Sequence, residues 1–252
     1  MYLKFWFKTV LQCCLPSGCR CFRSHHKMYN PNYVHSRDKH PIRYKHHGQG
    51  GWKTRKEGGF HYRDYEDYDE YLTHQAEKFN EILKFGGGFT SRQIAKYRYR
   101  FYRRFRHPAA LLPESSQILC AGARQGTEVQ VLRDLGFKNA YGIDLNPGPD
   151  NKLVRVGDFM HLENDDSSLD MIYCNAIDHA FNLDAFFTEH ARAIKPDAYV
   201  LYDIAIQQGG AFESVEWESE EDVFMLMLKY FKKVIRLETE HNWKWVLLQG
   251  KK

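Results

Sequence analysis

The 252-residue chain lacks any uninterrupted run of about 18 apolar residues, the length that a membrane-spanning helix requires. Residues 2–15 come nearest to such a run, but Lys4 and Lys8 interrupt it. These lysines lie within the apolar stretch rather than before it, which is unlike a signal sequence. We therefore expect a cytoplasmic protein without a membrane span, whose length and 43% hydrophobic content suit one catalytic-size domain and an appendage.

Acidic residues are scarce at the start of the chain, where residues 1–63 contain only Asp38 and Glu57. Residues 1–107 carry 22 Lys plus Arg against 9 Asp plus Glu, a balance of +13, whereas residues 108–252 carry 14 against 23, a balance of −9. Residues 1–63 also show no sustained helical or strand periodicity, so we predict a basic, disordered tail there. Such a tail either binds nucleic acid or is a solvated segment without a dedicated partner.

Cysteine is used unevenly, with four of the six clustered near the N-terminus at Cys13, Cys14, Cys19 and Cys21, ahead of His25 and His26. Zinc ligands normally come as two pairs separated by a dozen or more residues, and here all of them are bunched. We therefore predict no metal site. Adventitious thiols, lipid attachment and a translation start at Met28 remain alternatives for the cluster. Cys120 and Cys174 lie in apolar runs and are predicted to be core residues.

Residues 64–107 are predicted to form a helical extension. A first amphipathic helix begins near Asp69, repeats apolar residues from Leu72 to Leu83 at helical spacing, and ends at Gly86–Gly88. A second helix begins at Thr90 or Ser91 and is closed by Pro108, and its apolar face holds Ile94, Tyr97, Phe101 and Phe105. The opposite face, with Arg98, Arg100, Arg103, Arg104 and Arg106, either contacts a polyanion or is solvated.

Residues 108–252 alternate short apolar runs with helical ones, the pattern of a parallel sheet with crossover helices. The predicted strands are 117–121, 139–143, 152–156, 169–174 and 198–204. Helices are predicted over 127–135, 183–194 and 220–231. The last two strands, 234–237 and 243–248, form an antiparallel hairpin, so the fold class is α/β with a Rossmann-like mixed sheet.

A glycine-containing loop, Ala121-Gly122-Ala123-Arg124-Gln125-Gly126, lies between the first strand and the first helix of this sheet. There a tight turn exposes backbone N–H groups and a helix N-terminus to a ligand. Asp144 ends the second strand, where a carboxylate can accept the two hydroxyl protons of a ribose. The combination predicts a nucleoside cofactor.

The dinucleotide fingerprint G-x-G-x-x-G is not met, because Arg124 and Thr127 stand where its second and third glycines would be. A phosphate-binding P-loop also fails, since Gly126 is not followed by Lys and Ser or Thr. A nicotinamide-dependent oxidoreductase is therefore disfavoured, and a cofactor without a pyrophosphate fits better.

These residues resemble a known family. The stretch from Ile118 to Gly148, ILCAGARQGTEVQVLRDLGFKNAYGIDLNPG, is similar to the first two motifs of class I methyltransferases. Gly157-Asp158-Phe159 is similar to the third motif. Residues 168–200 resemble the fourth strand, its helix and the Lys-Pro-Gly-Gly turn of the type-11 methyltransferase group. The resemblance covers about 135 residues and implies S-adenosylmethionine as the cofactor.

The resemblance implies a set of cofactor-binding residues. Gly122, Ala123, Arg124 and Gly126 would form the loop, Asp144 would bind the ribose, and Leu145 would pack on the adenine. Asp158 and Phe159 would contact the adenine, and Asn175 would face the methyl donor. The sequence departs from the family at Cys120, where an acid is usual, at Arg124, where a glycine is usual, and at Asp197-Ala198 after Lys195-Pro196. Arg124 either pairs with the cofactor carboxylate or caps the turn.

Two catalytic candidates follow the fourth strand. His179 is a candidate base because histidine titrates near neutral pH, although a structural role at the start of a helix is an alternative. Asp178 is either a second candidate base or a helix cap. No Asp-Pro-Pro-Tyr or Asn-Pro-Pro-Tyr/Phe motif is present, which disfavours an exocyclic nucleic-acid amine as acceptor.

The preceding helices, with Tyr71, His74 and Gln75, resemble the lids that often cover this domain, and we expect the second helix to lie over the cofactor cleft. Methyl transfer from S-adenosylmethionine to an unidentified acceptor is the predicted function. The alternative is a non-catalytic protein that binds S-adenosylmethionine, or a scaffold, with a nucleic-acid-binding N-terminal half.

Overall fold

A computed structural model describes residues 53–84, 90–205, 212–240 and 243–252. The N-terminal cysteine and histidine cluster, residues 1–52 of the predicted tail and the glycines at 86–88 lie outside the described residues. No helix within the described ranges is long and apolar enough to cross a membrane.

The first four elements precede the predicted α/β domain. They are β1 (Thr54–Glu57), β2 (Phe60–Arg63), α1 (Tyr68–Lys84) and α2 (Ser91–Ala109). The prediction of disorder over residues 1–63 is therefore wrong for residues 54–63, which form a β-hairpin. Tyr62 in this hairpin is buried in the core at 2% exposure. A single large aromatic ring buries enough apolar area to help order this hairpin. The overall composition of residues 1–63 does not show that one of its rings is buried.

The remaining elements follow the predicted order with one exception, and a short 3₁₀ turn at Ile177–His179 precedes α4. They are β3 (Ile118–Ala121), α3 (Thr127–Asp134), β4 (Tyr141–Asp144), β5 (Val154–Val156), β6 (Leu169–Cys174), α4 (Leu183–Ala193), β7 (Ile194–Ala205), β8 (Val215–Trp217), α5 (Glu220–Tyr230), β9 (Phe231–Glu240) and β10 (Trp243–Lys251). Strand β8 is absent from the sequence prediction. Strand β7 begins at Ile194, so Lys195-Pro196-Asp197 lies inside the strand rather than in a turn before it.

Seven strands form the central sheet in the order β5-β4-β3-β6-β7-β10-β9. The first five are parallel, and β10 pairs antiparallel with both β7 and β9, which confirms the mixed sheet with a C-terminal hairpin. A second sheet, β1-β2-β8, is antiparallel. Because β3, β4 and β6 are parallel neighbours, their carboxyl ends meet at one edge of the central sheet, where ligands bind in open α/β folds.

Apolar residues pack on both faces of the central sheet. One face of β3 contributes Leu119 and Ala121 to a core shared with α4 and α5, and the other contributes Ile118 and Cys120 to a core shared with α2 and α3. Cys120 and Cys174 are both fully buried, which confirms them as small core residues. This two-sided burial explains why the parallel strands read as continuous apolar runs.

Helix α2 differs from its prediction in three ways. Thr90 is its N-cap as expected, but the helix continues past Pro108 to Ala109. Arg104 is fully buried rather than on a solvated face. The helix packs through Phe101 and Phe105 on Tyr173 of β6, so it lies on one face of the sheet, whereas the prediction placed it over the cofactor cleft.

Candidate functional site

The loop after β3 has the backbone shape that its glycines predict. Gly122 has φ = +71° and Gly126 has φ = +79°, both in the left-handed region that favours glycine. A Cβ atom on Gly126 would lie 2.8 Å from the Leu153 Cβ and 2.9 Å from the Val154 Cγ2. Close approach of the backbone to the neighbouring strand therefore requires glycine at this position.

Arg124 occupies the position where the family usually has glycine, and it also has a positive φ, +46°. Its backbone N–H donates to the Asp144 Oδ2 over 2.9 Å. The Asn146 N–H donates to the Asp144 Oδ1, also over 2.9 Å. These two bonds fix the carboxylate at the end of β4 against the glycine loop, and each of its oxygens keeps a further lone pair for a ligand.

A small pocket lies at this edge of the sheet and encloses about 50 Å³ of free volume. Its walls come from two parts of the chain. The α/β domain contributes Gly122, Arg124, Asp144, Leu145, Phe159, Ala176 and His179, and α1 contributes Tyr71, Gln75 and Lys78. The structure therefore brings together loops from four strands and one preceding helix.

Helix α1 is held over the pocket by side-chain bonds from its N-terminal half. Tyr68 donates its hydroxyl to the Asp158 Oδ2 over 2.6 Å, and Tyr71 donates to the carbonyl of His179 over 3.1 Å. Gln75 donates to the Phe212 carbonyl over 2.7 Å. The resemblance of this helix to a lid thus has a structural counterpart in α1, rather than in α2.

His179 lies in the 3₁₀ turn after β6 and is 8% exposed. Its Nδ1 lies 2.8 Å from the Phe212 carbonyl, which can only accept, so Nδ1 carries the proton and Nε2 the lone pair. The Lys78 Nζ lies 2.5 Å from that Nε2. Burial, and then the charge of Lys78, hold the pKa of His179 well below its usual range, so the imidazole is neutral.

Asp178 is also 8% exposed, and its environment favours the protonated form. Burial and the nearby Glu213 carboxylate raise the pKa of Asp178 to about 7, against the opposing effect of Lys78. A pKa near 7 suits a general base at neutral pH better than the depressed value of His179 does. Asp178 does not cap α4, because Asn182 has that role.

Asp178, His179 and Glu213 form a group whose ligand atoms lie within 4.8 Å of one another. Such a group has the donor types of a metal site. The Lys78 ammonium already contacts His179, so a positive charge from the chain itself lies beside this group.

The other predicted residues lie at or near the pocket in different roles. Ala123, within the glycine loop, is buried. Gly126 lines a separate open groove of about 380 Å³, together with Ile94 and Arg98 of α2. Asp158 accepts from Tyr68 and from the Met160 N–H instead of lining the pocket. Ala176 lines the pocket, and the placement of its neighbour Asn175 toward the methyl donor stays a prediction.

Lys78 lines the pocket although the sequence alone did not indicate a role for it. The available signal is its spacing, because Tyr68, Tyr71, Gln75 and Lys78 recur at three- or four-residue intervals and so share one face of α1. Tyr71 and Gln75 were recognised on this face, but the lysine reads as a solvated charge unless the surface opposite it is known.

Comparison with known proteins finds a family match within the α/β region. Residues 119–202 match the model of a family described as "Methyltransferase domain". No curated protein matches the chain.

Several solved structures share the fold. A 1,6-didemethyltoxoflavin N1-methyltransferase from Burkholderia thailandensis, bound to 1,6-didemethyltoxoflavin and S-adenosylhomocysteine, has a TM-score of 0.57 and 13% identity over 79% of this chain and 99% of its own. The PH0226 protein from Pyrococcus horikoshii OT3 has a TM-score of 0.51 and 19% identity, over 62% and 91%. A putative methyltransferase in complex with the Trm112 activator of Haloferax volcanii has a TM-score of 0.51 and 14% identity, over 74% and 99%.

Proposed function

We propose that this α/β domain, which is a class I S-adenosylmethionine-dependent methyltransferase domain, binds its cofactor at the pocket beside Asp144 and transfers the methyl group toward His179 and Asp178. The reaction class and the cofactor follow from the family match together with the fold. The placement of the cofactor and the roles of individual residues are the proposal.

The orientation of the Asp144 carboxylate is the observation that supports this placement of the cofactor. Its two oxygens are held by the N–H groups of Arg124 and Asn146, so the carboxylate is pre-oriented before a ligand arrives. A ribose presents two adjacent hydroxyl groups, and one carboxylate can accept both protons. Leu145 and Phe159 border the same pocket and offer apolar surface to an adenine ring.

The methionine end of the cofactor carries a carboxylate, and two cationic side chains line the pocket near the glycine loop. Arg124 and Lys78 are close enough for the charge of Arg124 to lower the pKa of Lys78. A ligand carboxylate beside them would offset this repulsion. Gly122 and Gly126, with Ala123 between them, give the loop the shape that lets the backbone approach the ligand.

The present pocket is much smaller than the roughly 300 Å³ or more that small-molecule sites enclose. Since α1 forms one wall, we propose that α1 moves outward to admit the cofactor. Release of Tyr68 from Asp158 would free an acceptor at the position that the family uses for the adenine amino group.

The chemistry requires a nucleophile in line with the sulfonium and, for hydroxyl or amine acceptors, a group that takes a proton. Asp178, with its pKa of about 7, is the proposed base. The neutral His179 accepts from Lys78 at its Nε2, and an acceptor that takes the place of this amine would be oriented by a hydrogen bond to the same lone pair.

The alternative scaffold function relies on the basic N-terminal half. Three of the seven Lys and Arg residues of α2 form ion pairs with acids of the α/β domain: Arg98 with Asp134, Arg103 with Glu240, and Arg104 with Asp203. These pairs lower the charge that α2 offers to a nucleic acid, which favours the enzymatic function.

Calorimetric titration of the full chain with S-adenosylmethionine and, separately, with NAD tests the proposal. We expect binding of the first only. Asp144→Ala removes up to two charge-assisted hydrogen bonds of about 1.5–3 kcal/mol each, so affinity should fall at least tenfold. Asp165→Ala, an exposed acid away from the pocket, serves as the control. Unchanged affinity in a folded Asp144→Ala variant, or tighter binding of NAD, would overturn the assignment.

A further inference from the structure

Among the lysines in the described part of the chain, Lys78 is the one that lines the proposed cofactor pocket. It projects from α1 and lines the pocket together with Gly122 and Asp144. Its side chain is half-buried, and its Nζ lies 2.5 Å from the His179 Nε2. A primary amine of the protein is therefore held at the place where we expect an acceptor to meet His179.

The hydrogen-bond arrangement determines which way protons point. The Nδ1–H of His179 donates to the Phe212 carbonyl, so Nε2 can only accept, and Lys78 must donate to it. The bond orients the lysine nitrogen and fixes one of its hydrogens on the imidazole. The nitrogen is thus positioned by its own helix and by His179, which lies 101 residues further along the chain.

Four charged groups act on the Lys78 amine. Arg124 of the glycine loop opposes its charge, while Glu213, Asp178 and Asp144 favour it, and His179 beside it is neutral. Burial is the largest effect and, with Arg124, lowers the pKa of Lys78 to about 8. An ordinary lysine near 10.4 is almost wholly protonated at neutral pH, whereas this one has a nucleophilic fraction on the order of a tenth.

We propose that Lys78 is itself a methyl acceptor, so that the domain methylates its own lid helix. This inference rests on the proposed function, since S-adenosylmethionine must occupy the pocket. Lys78 shares the pocket with the ribose-binding candidate Asp144 and is hydrogen-bonded to the acceptor-side histidine. After outward movement of α1 has admitted the cofactor, its return would restore the contact of Lys78 with His179 and bring this amine against the bound cofactor.

The step balances without a further reactant. The Lys78 ammonium first loses a proton to solvent or to the Asp178 carboxylate. The neutral nitrogen lone pair then forms a bond to the methyl carbon as the carbon–sulfur bond breaks. The sulfonium becomes the thioether of S-adenosylhomocysteine, and the product is a methylammonium on Lys78, which keeps its positive charge.

The test is incubation of the full chain with S-adenosylmethionine labelled in its methyl group, followed by peptide mass spectrometry. We expect one labelled methyl at Lys78, at a rate that rises between about pH 6 and about pH 8 as the amine deprotonates, and then levels off. Lys78→Arg should remove the label. Lys96→Arg, an exposed lysine of α2, should not change it.

Calorimetry on the same samples separates this proposal from the proposed function. Cofactor binding without label at Lys78 would overturn self-methylation and leave the methyltransferase assignment intact. Absence of cofactor binding would overturn both. Label spread over Lys96 and other exposed lysines, or undiminished label in Asp144→Ala, would indicate chemical methylation in solution and would also overturn the proposal.

Discussion

Arg104 of α2 and Asp203 of β7 form an ion pair in the interior, with 2.8 Å between the arginine Nε and the carboxylate Oδ1. Arg104 is 0% exposed and Asp203 is 2% exposed. Tyr173 adds a hydroxyl that donates to the second oxygen of Asp203 over 3.1 Å. The pair joins the basic helix to the central sheet, so part of the charge asymmetry of the sequence is neutralised inside the fold.

Arg104→Met should destabilise the protein by about 3–5 kcal/mol, because it leaves the Asp203 carboxylate buried without its partner. Arg103→Gln is the matched control, since Arg103 pairs with Glu240 at the surface and such pairs are worth about 0–1 kcal/mol. Urea unfolding of both variants measures the difference. Equal, small effects would mean that the buried pair does not contribute to stability, and a double Arg104→Met, Asp203→Leu variant should recover much of the loss.

Gly126→Ala should destabilise the loop more than Gly58→Ala, although both glycines have a positive φ. Alanine in the left-handed region costs about 1–2 kcal/mol at either position. At Gly126 the added Cβ also collides with Leu153 and Val154, whereas at Gly58 nothing lies within 4 Å. Overpacking adds about 1–3 kcal/mol. Thermal melts give the two losses, and a larger loss at Gly58 would contradict the loop geometry.

Glu128 should make the protein less stable as pH rises. It lies in the first turn of α3 at 5% exposure, and burial raises its pKa from 4.5 to about 8. Between these values the folded protein retains a proton that the unfolded chain has released, so the free energy of unfolding falls with rising pH.

Glu128→Gln removes this charge, and we expect it to be a few kcal/mol more stable than the parent at pH 8 relative to their difference at pH 4. Denaturant unfolding at the two pH values measures the effect, with the exposed Glu163→Gln as control. Parallel stability curves for parent and Glu128→Gln would refute the burial argument.

Tyr62→Ala should cost about 3–5 kcal/mol, the usual loss for a large buried aromatic ring. The ring lies in the core that includes Phe186 and Val215, and its hydroxyl accepts a weak bond of 3.4 Å from the Leu183 N–H. Tyr62→Phe should therefore cost little, and Tyr99→Ala, on an exposed ring of α2, should be nearly neutral. If Tyr62→Ala unfolds at the same denaturant concentration as the parent, the N-terminal hairpin is dispensable, as its composition alone would indicate.

The sequence by itself determined the parts of this protein that depend on local patterns. Apolar runs and helical spacing predicted β6 at its observed bounds and α3 and α4 to within one residue. The spacing of apolar residues within a segment is enough to indicate its secondary structure. The tight turn at Gly122 and Gly126 and the position of Asp144 at the end of β4 were also predictable. A glycine loop after one strand and an acid at the end of the next are typical of a nucleoside-binding α/β fold.

Tertiary structure alone decided which distant side chains meet. Lys78 contacts His179, Arg104 pairs with Asp203, and β2 finds β8 across more than 150 residues, and none of these partners is marked by a local period. From the sequence, a lone lysine or arginine on a helix is predicted to be exposed to solvent, because burying its charge is costly unless a partner is present. The folded chain supplies those partners, and with them it places α1 rather than α2 over the pocket beside Asp144.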